Sequence, residues 1–99
     1  MEPDGIYYSD TKGRNLFGYR IEDGSMEPVF RRGDILVVNP NIPAQPGDYV
    51  IARVGEETVP GKMDASGLNI EPLAAGRPRL SAASSEILGR VVEKKRMYK

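Results

Sequence analysis

Short apolar segments, separated by clusters of glycine, proline and aspartate, make up most of this chain. Within the segments, hydrophobic residues alternate with polar ones or form brief runs, which is the spacing of β-strands. No segment of useful length repeats with the period of a helix, and proline and glycine recur too often for a long helix to form. The pattern predicts a mainly β domain that is strongly curved and built from short strands and tight turns.

The segments with the composition of strands are 16–22, 35–38, 49–54, 58–59, 68–73 and 87–93. Tyr49–Val54 has the clearest pattern, because it is β-branched and apolar at its centre. The return segment that begins at Thr58 is expected to break at Pro60-Gly61, since proline removes a ladder donor and glycine permits a bulge. Residues 74–85 are small and polar, and they are expected to form a loop.

Composition limits the classes of function. The chain has 99 residues, enough for one core, and its 14 basic residues balance 14 acidic ones. A general attraction to nucleic acid is therefore not expected. No apolar run approaches the length of a membrane span, and the start lacks the features of a signal peptide, so a cytoplasmic protein without membrane contact is expected.

The chain contains neither cysteine nor histidine. Disulfides, thiolate metal sites and Ser-His-Asp catalysis within the chain are thereby excluded. If a serine acts as a nucleophile here, its base must be a lysine, a carboxylate or a group from another chain. A lysine serves only when an apolar setting lowers its pKa and leaves a neutral amine.

One turn lies in an unusual setting. A strand leads into Gly24-Ser25-Met26-Glu27-Pro28, Gly33-Asp34 opens the next strand, and Gly47-Asp48 opens the one after it. Both Gly-Asp pairs are expected to form turns in which the aspartate accepts backbone amides. A serine after glycine is usually only a turn residue, but this spaced set resembles the LexA-like family of self-cleaving repressors and mutagenesis proteins, relatives of signal peptidases. The resemblance covers residues 16–92.

The resemblance implies a catalytic site around Ser25. Ser25 matches the nucleophile, and the backbone amides of Gly24 and Ser25 match the donors of the oxyanion hole. Met26 matches the apolar residue that lines the site. The family commonly has Gly-Asp or Gly-x before the serine, whereas this chain has Asp23-Gly24. No metal or cofactor is implied.

The base is the weak point of the resemblance. The family places its lysine in a strand that reads approximately Thr-Val-Lys-Arg-Leu. Matching the Thr-Val pair puts Pro60 at the lysine position, and counting forward from the preceding strand puts Gly61 there. A Pro-Gly bulge would turn Lys62 back toward Ser25 and complete a dyad; without it, Lys62 lies on the surface. We expect self-cleavage to be weak or absent.

Three parts are expected. Composition predicts an N-terminal arm at 1–15, whose apolar segment at 6–8 is able to dock on the body, and a basic tail at 94–99. The resemblance implies a LexA-like Ser/Lys peptidase-type domain at 16–93 between them. The implied function is the C-terminal self-cleavage and dimerisation domain of a phage-type or stress-response (SOS) transcriptional repressor. Two alternatives stay open, a catalytically impaired dimerisation module and a peptidase that acts in trans.

The implied partners follow from that role. The substrate would be the protein's own upstream linker, presented as an extended strand beside Ser25. A symmetric homodimer is expected near the last strand, 87–93, because its apolar edge would otherwise be exposed. The family also implies a RecA-type coprotease. This chain has no helix-turn-helix, so DNA would be bound only through a separate N-terminal domain.

Overall fold

A computed structural model describes the backbone of residues 6–8 and all of residues 16–95. Within these ranges eight strands form one antiparallel sheet and no helix occurs, so the predicted mainly β fold is confirmed. The strands are β1 (Ile6–Tyr8), β2 (Phe17–Arg20), β3 (Ile35–Asn39), β4 (Tyr49–Val54), β5 (Glu57–Met63), β6 (Asn69–Pro72), β7 (Leu80–Ser81) and β8 (Glu86–Lys95). None of the described residues belongs to a helix of the length and apolarity needed to cross a membrane.

The last strand lies in the middle of the sheet. The spatial order is β1-β2-β3-β8-β4-β5-β6-β7. β8 pairs with β4 through residues 86–90 and with β3 through residues 90–95. β8 is therefore an interior strand of the sheet, but each half of it pairs on one side only among the described residues, so the expected exposed edge is limited to parts of the strand. Its apolar side chains are needed to fill the core between those neighbours.

Two bulges bend β8. The register with β3 passes from Glu93 to Val91 and leaves Val92 as an extra residue. The register with β4 passes from Gly89 to Ile87 and leaves Leu88 as a second one. Because each bulge bends its strand and increases the local twist, β8 contributes strongly to the curvature of the sheet.

The core consists of two clusters of buried residues. The first core cluster contains Phe17, Ile21, Met26, Phe30, Leu36, Val38 and Ile51. The second core cluster, smaller, contains Val50, Ala52 and Ile70. Residues Val50, Ile51 and Ala52 alternate between the two, as successive residues of a strand must. The hydroxyl of Tyr19 on β2 lies 3.5 Å from that of Thr58 on β5, although three strands separate β2 from β5 in the sheet. The sheet therefore curls around the first core cluster.

β5 is continuous, contrary to the expected break at Pro60-Gly61. Its pairing with β4 runs from Val54↔Glu57 to Tyr49↔Lys62 without a register shift. The carbonyl of Pro60 accepts the Leu73 N–H at 3.1 Å, on the side away from β4. In a strand, the N–H and the C=O of one residue point to the same side, so the N–H that proline lacks would have pointed away from β4. The pairing with β4 therefore loses no hydrogen bond.

Glycine at position 61 allows close packing rather than a bulge. A Cβ atom there would lie 2.6 Å from Cγ2 of Ile70 and 3.0 Å from the backbone oxygen of Glu71. Both residues belong to β6, which pairs with this end of β5. The Pro-Gly pair thus fits a regular strand, and the bulge that would have redirected Lys62 does not form.

Several boundaries differ from the expected ones. The apolar segment of the expected arm pairs with β2 as β1. β7 lies within the segment expected to be a loop, and β8 extends to Lys95. The rest of the expected basic tail, residues 96–99, lies outside the described residues. The division into arm, domain and tail stays a prediction.

Two Gly-Asp turns with the same hydrogen bonds begin β3 and β4. The Asp34 carboxylate accepts the Arg31 N–H at 2.8 Å, and the Asp34 N–H donates to the Arg31 carbonyl at 2.9 Å. Asp48 makes the same pair of bonds with Gln45, at 2.8 and 2.9 Å. The glycine before each aspartate has a φ of 91°, a conformation that glycine adopts without strain. The turns predicted at these positions are confirmed.

The two turns should contribute unequally to stability. Asp34 is only 1% exposed, whereas 22% of the Asp48 side chain is exposed. Asp34→Ala removes a buried carboxylate and leaves the part-buried N–H of Arg31 without its acceptor, which should lower the free energy of unfolding by about 1–3 kcal/mol. Asp48→Ala should lower it by less, since water reaches the freed N–H of Gln45. Urea unfolding of both variants measures the difference; equal losses would contradict it.

Candidate active site

Ser25 lies in the connection between β2 and β3. Met26 and Phe30 anchor this connection in the first core cluster, and the N–H groups of Val29 and Phe30 donate to the Met26 carbonyl at 3.1 and 3.2 Å. Residues 22–25 are exposed. β2 ends at Arg20, two residues before the expected end of this strand, and the serine belongs to the turn that follows, as predicted.

Ser25 is hydrogen bonded to Asp23 through both of its donors. The hydroxyl donates to Oδ1 of Asp23 at 2.7 Å, and the backbone N–H donates to the same oxygen at 3.0 Å. These bonds lower the pKa of the Asp23 carboxyl, with a smaller contribution from the positive charge of Arg32. The backbone N–H that the resemblance assigns to the oxyanion hole is therefore already committed to a carboxylate.

A second turn of the chain has the same geometry. The Ser66 hydroxyl donates to Oδ1 of Asp64 at 2.6 Å, and the Ser66 N–H donates to that oxygen at 3.2 Å. The bonds from Ser66, with those from Asn69, lower the pKa of Asp64. Aspartate two residues before a serine commonly forms such a turn. The Asp23–Ser25 contact is thus a local turn structure and is not by itself a sign of an activated serine.

Lys62 is exposed at the far end of β5. Its Nζ lies 5.7 Å from the centroid of the Tyr49 ring, a favourable position for a cation over an aromatic face. The Tyr49 ring packs edge-on against Phe30, with 5.3 Å between centroids. Lys62 also lines an open groove of about 650 Å³ with Glu71 and Leu73. Ser25 is not among the residues that line this groove.

The continuous pairing of β4 and β5 fixes which face each side chain occupies. Pro60 is opposite Ile51 and Lys62 is opposite Tyr49. Directly opposed residues share a face, so Pro60 and Lys62 both point to the side of the first core cluster, which also carries the connection with Ser25. Pro60 is buried there and Lys62 is exposed, about 6–7 Å farther along the strand.

The structure does not join the two residues of the predicted dyad. Among the described residues, the Ser25 hydroxyl is bonded to Asp23, and no hydrogen bond connects it to Lys62. Of the predicted oxyanion-hole residues, Gly24 accepts the N–H of Glu27 through its carbonyl at 3.3 Å. Asp23 was not predicted as a site residue, although the repeated Asp-x-Ser spacing at 23–25 and 64–66 was a signal for its contact with Ser25.

Comparison with protein families gives one match. The model described as Peptidase S24-like matches residues 3–92, which include Ser25, β4 and the whole of β5. The comparison with curated proteins gives no match. The LexA-like resemblance noted from the sequence is confirmed by the family match.

The two Asp-x-Ser turns provide a test of the site geometry. Ser25→Ala removes the hydroxyl donor and should raise the pKa of Asp23 toward that of an ordinary aspartate, while the pKa of Asp64 stays unchanged. Ser66→Ala should have the opposite selectivity. Titration of the side-chain carboxyl carbons by NMR measures both values. An Asp23 pKa that Ser25→Ala leaves unmoved would contradict the hydrogen bond.

The sign of the pH effect follows from the lowered pKa values. Folding lowers the pKa of Asp23 and Asp64, so both carboxylates contribute stability above the pKa that they have in the unfolded chain. That contribution is lost as the pH falls through the values of the folded state. In Ser25→Ala the folded-state pKa of Asp23 lies closer to the unfolded value, so the contribution of Asp23 should be smaller and its loss should be complete at a higher pH.

Proposed function

The chain belongs to the peptidase S24-like family, and we propose that it is a LexA-like dimerisation module of a transcriptional repressor in which Ser25 is retained but not activated for efficient self-cleavage. The observation that carries this proposal is the uninterrupted pairing of β4 and β5, which leaves a buried proline at position 60, the lysine position when the Thr-Val pair is matched to the family's strand. In the family, the protein's own upstream linker would be the substrate of self-cleavage and a RecA-type coprotease its partner. A module that does not cleave itself efficiently would no longer depend on either. DNA would be bound by a separate domain, in the cytoplasm.

The surroundings of Lys62 support an unactivated serine. A serine hydroxyl stays protonated near neutral pH and is a poor nucleophile without an adjacent base. A lysine becomes that base only where apolar burial favours the neutral amine. Lys62 is exposed and lies over the face of Tyr49, which is a favourable contact for the charged ammonium. Of the other described lysines, Lys94 donates to the Val29 carbonyl at 3.4 Å, in the connection that carries Ser25, and no hydrogen bond joins either Lys94 or Lys95 to the serine hydroxyl, which donates to Asp23.

The pairing of β8 supports the dimerisation role. β4 pairs with β8 only as far as Arg90, so beyond it the segment 91–95 pairs with β3 alone among the described residues. Its other side presents backbone N–H and C=O groups to a further strand. Val92 in this segment is 44% exposed. Antiparallel pairing of two copies about a two-fold axis would cover Val92 and continue the sheet.

The first test is self-cleavage. Full-length protein from the natural gene, incubated at mildly alkaline pH to favour a neutral lysine, should remain largely intact, and Ser25→Ala and Lys62→Ala should behave like the parent. Gel electrophoresis and intact-mass measurement follow the reaction. Efficient cutting that disappears in both variants would establish the Ser25–Lys62 dyad and refute the proposal. Cutting of an added protein substrate that depends on Ser25 would instead support a peptidase acting in trans.

The second test is association. Val92→Glu puts a charge into the proposed dimer interface and should weaken the dimer by at least about tenfold, which corresponds to ~1.4 kcal/mol. Val54→Glu is a matched control, since Val54 is 39% exposed at the end of β4, outside the segment 91–95. Sedimentation equilibrium over a range of concentrations gives both dissociation constants. A parent protein that is monomeric throughout, or equal weakening by both variants, would contradict the β8 interface.

A further inference from the structure

We propose that Asp23 is an inhibitory positioning residue that holds the hydroxyl and the backbone N–H of Ser25 at once, and so blocks the nucleophile and the oxyanion hole together. The inference rests on the proposed function, which treats Ser25 as the family's serine. It adds to the missing base a second cause of low reactivity, which lies in a different residue. The same carboxylate oxygen, Oδ1, accepts both donors, at 2.7 Å from Oγ and 3.0 Å from N.

The order of two neighbouring residues creates this contact. The family has Gly-Asp or Gly-x before its serine, and the glycine stands two positions before the hydroxyl. In this chain the order is Asp23-Gly24, which moves the carboxylate to that position. Aspartate at this spacing accepts both donors of the serine wherever the chain offers it, as Asp64 and Ser66 demonstrate. The exchange therefore replaces a turn that presents the serine to a substrate with one in which the Asp23 carboxylate accepts both hydrogen-bond donors of the serine.

The electrostatics of the contact oppose catalysis. Attack by Ser25 on a carbonyl develops a negative charge that the backbone N–H of the serine is expected to stabilise. Here that N–H faces a carboxylate, whose charge repels an oxyanion a few ångströms away. Transition-state stabilisation is thus lost twice, through the missing donor and through the added negative charge.

Asp23 does not serve as the missing base. Its hydrogen bonds with Ser25 lower the pKa of the carboxyl, so the carboxylate has a weaker affinity for the proton than an ordinary aspartate. General-base catalysis is efficient when the pKa of the base lies near the working pH. A carboxylate with a lowered pKa leaves the proton on the serine hydroxyl. The contact therefore orients Ser25 without activating it.

One set of variants separates the effect of the missing base from the effect of the Asp23 contact. Pro60→Lys supplies an amine at a buried position of β5, and Asp23→Ala removes the proposed block; each is made alone and both together. The exchange Asp23→Gly with Gly24→Asp restores the family order in the Pro60→Lys background. Ser25 reactivity is read as phosphonylation by a fluorophosphonate probe, in which Oγ displaces fluoride from phosphorus and its proton goes to the base. Intact-mass spectrometry measures the rate, and circular dichroism checks the fold.

We expect no labelling of the parent and slow labelling of Pro60→Lys. Asp23→Ala in that background should raise the rate by on the order of a hundredfold, the factor that one oxyanion-hole donor contributes. The restored order should raise it similarly. Asp64→Ala is the matched control, because it removes the same contact from the other turn, and it should leave the rate unchanged. Ser25→Ala should abolish labelling in every background.

The outcomes distinguish the inference from the proposed function. Rapid labelling of the parent at Ser25 would refute the unactivated serine, and the effect of Asp23→Ala on that rate would still decide the role of Asp23. If Pro60→Lys labels slowly and neither change at Asp23 accelerates it, the inference is overturned while the missing base stands. If Pro60→Lys does not fold, the parent and Asp23→Ala are compared at alkaline pH with hydroxide as the base; equal rates there overturn the inference.

Discussion

The pairing of β8 with both β3 and β4 is the interaction on which the rest of the structure depends. Without it the sheet would separate into β1-β2-β3 on one side and β4-β5-β6-β7 on the other. Close packing holds the joint together, since a Cβ atom at Gly89 would lie 2.6 Å from Cγ1 of Val38 and 3.0 Å from the backbone oxygen of Asn39. The bulges at Leu88 and Val92 then curl the two halves around the first core cluster. That curl brings Tyr19 of β2 against Thr58 of β5.

The same curled sheet decides the chemistry available to Ser25. The connection that carries the serine is anchored by Met26 and Phe30 on the face to which Pro60 and Lys62 also point. Any base on β5 must therefore occupy the correct position along the strand, since the face is already shared. Pro60 fills the buried position and Lys62 the exposed one, where its ammonium lies over Tyr49. Because β4 and β5 pair without a register shift, Lys62 cannot take the buried position of Pro60.

Features that depend on neighbouring residues could be predicted from the sequence, and those that depend on distant ones could not. Tyr49–Val54 and the Gly-Asp turns are encoded by residues within a few positions of each other, and the predictions for them were confirmed. The central place of β8 depends on strand order, which apolar periodicity does not specify. The regularity of β5 at Pro60 depends on which side of the strand its nitrogen faces, and that is set by β4 and Leu73. The Asp23–Ser25 contact is local, and the repeated Asp-x-Ser spacing was its only signal.

The two changes that we propose separate this chain from a self-cleaving site both favour folding. A neutral lysine buried at position 60 would place an amine opposite Ile51 in the first core cluster, and burying such a group opposes folding. Proline there is apolar and gives up no bond to β4, so it opposes folding less than a buried lysine at this position would. Asp23 likewise satisfies the N–H of Ser25 within the turn. Active sites commonly retain strained or desolvated groups at the expense of stability, and here both positions hold residues that suit the fold instead. The sheet depends on β8, whereas the proposed loss of the family's chemistry depends on residues that β8 does not constrain, so the fold does not require that chemistry.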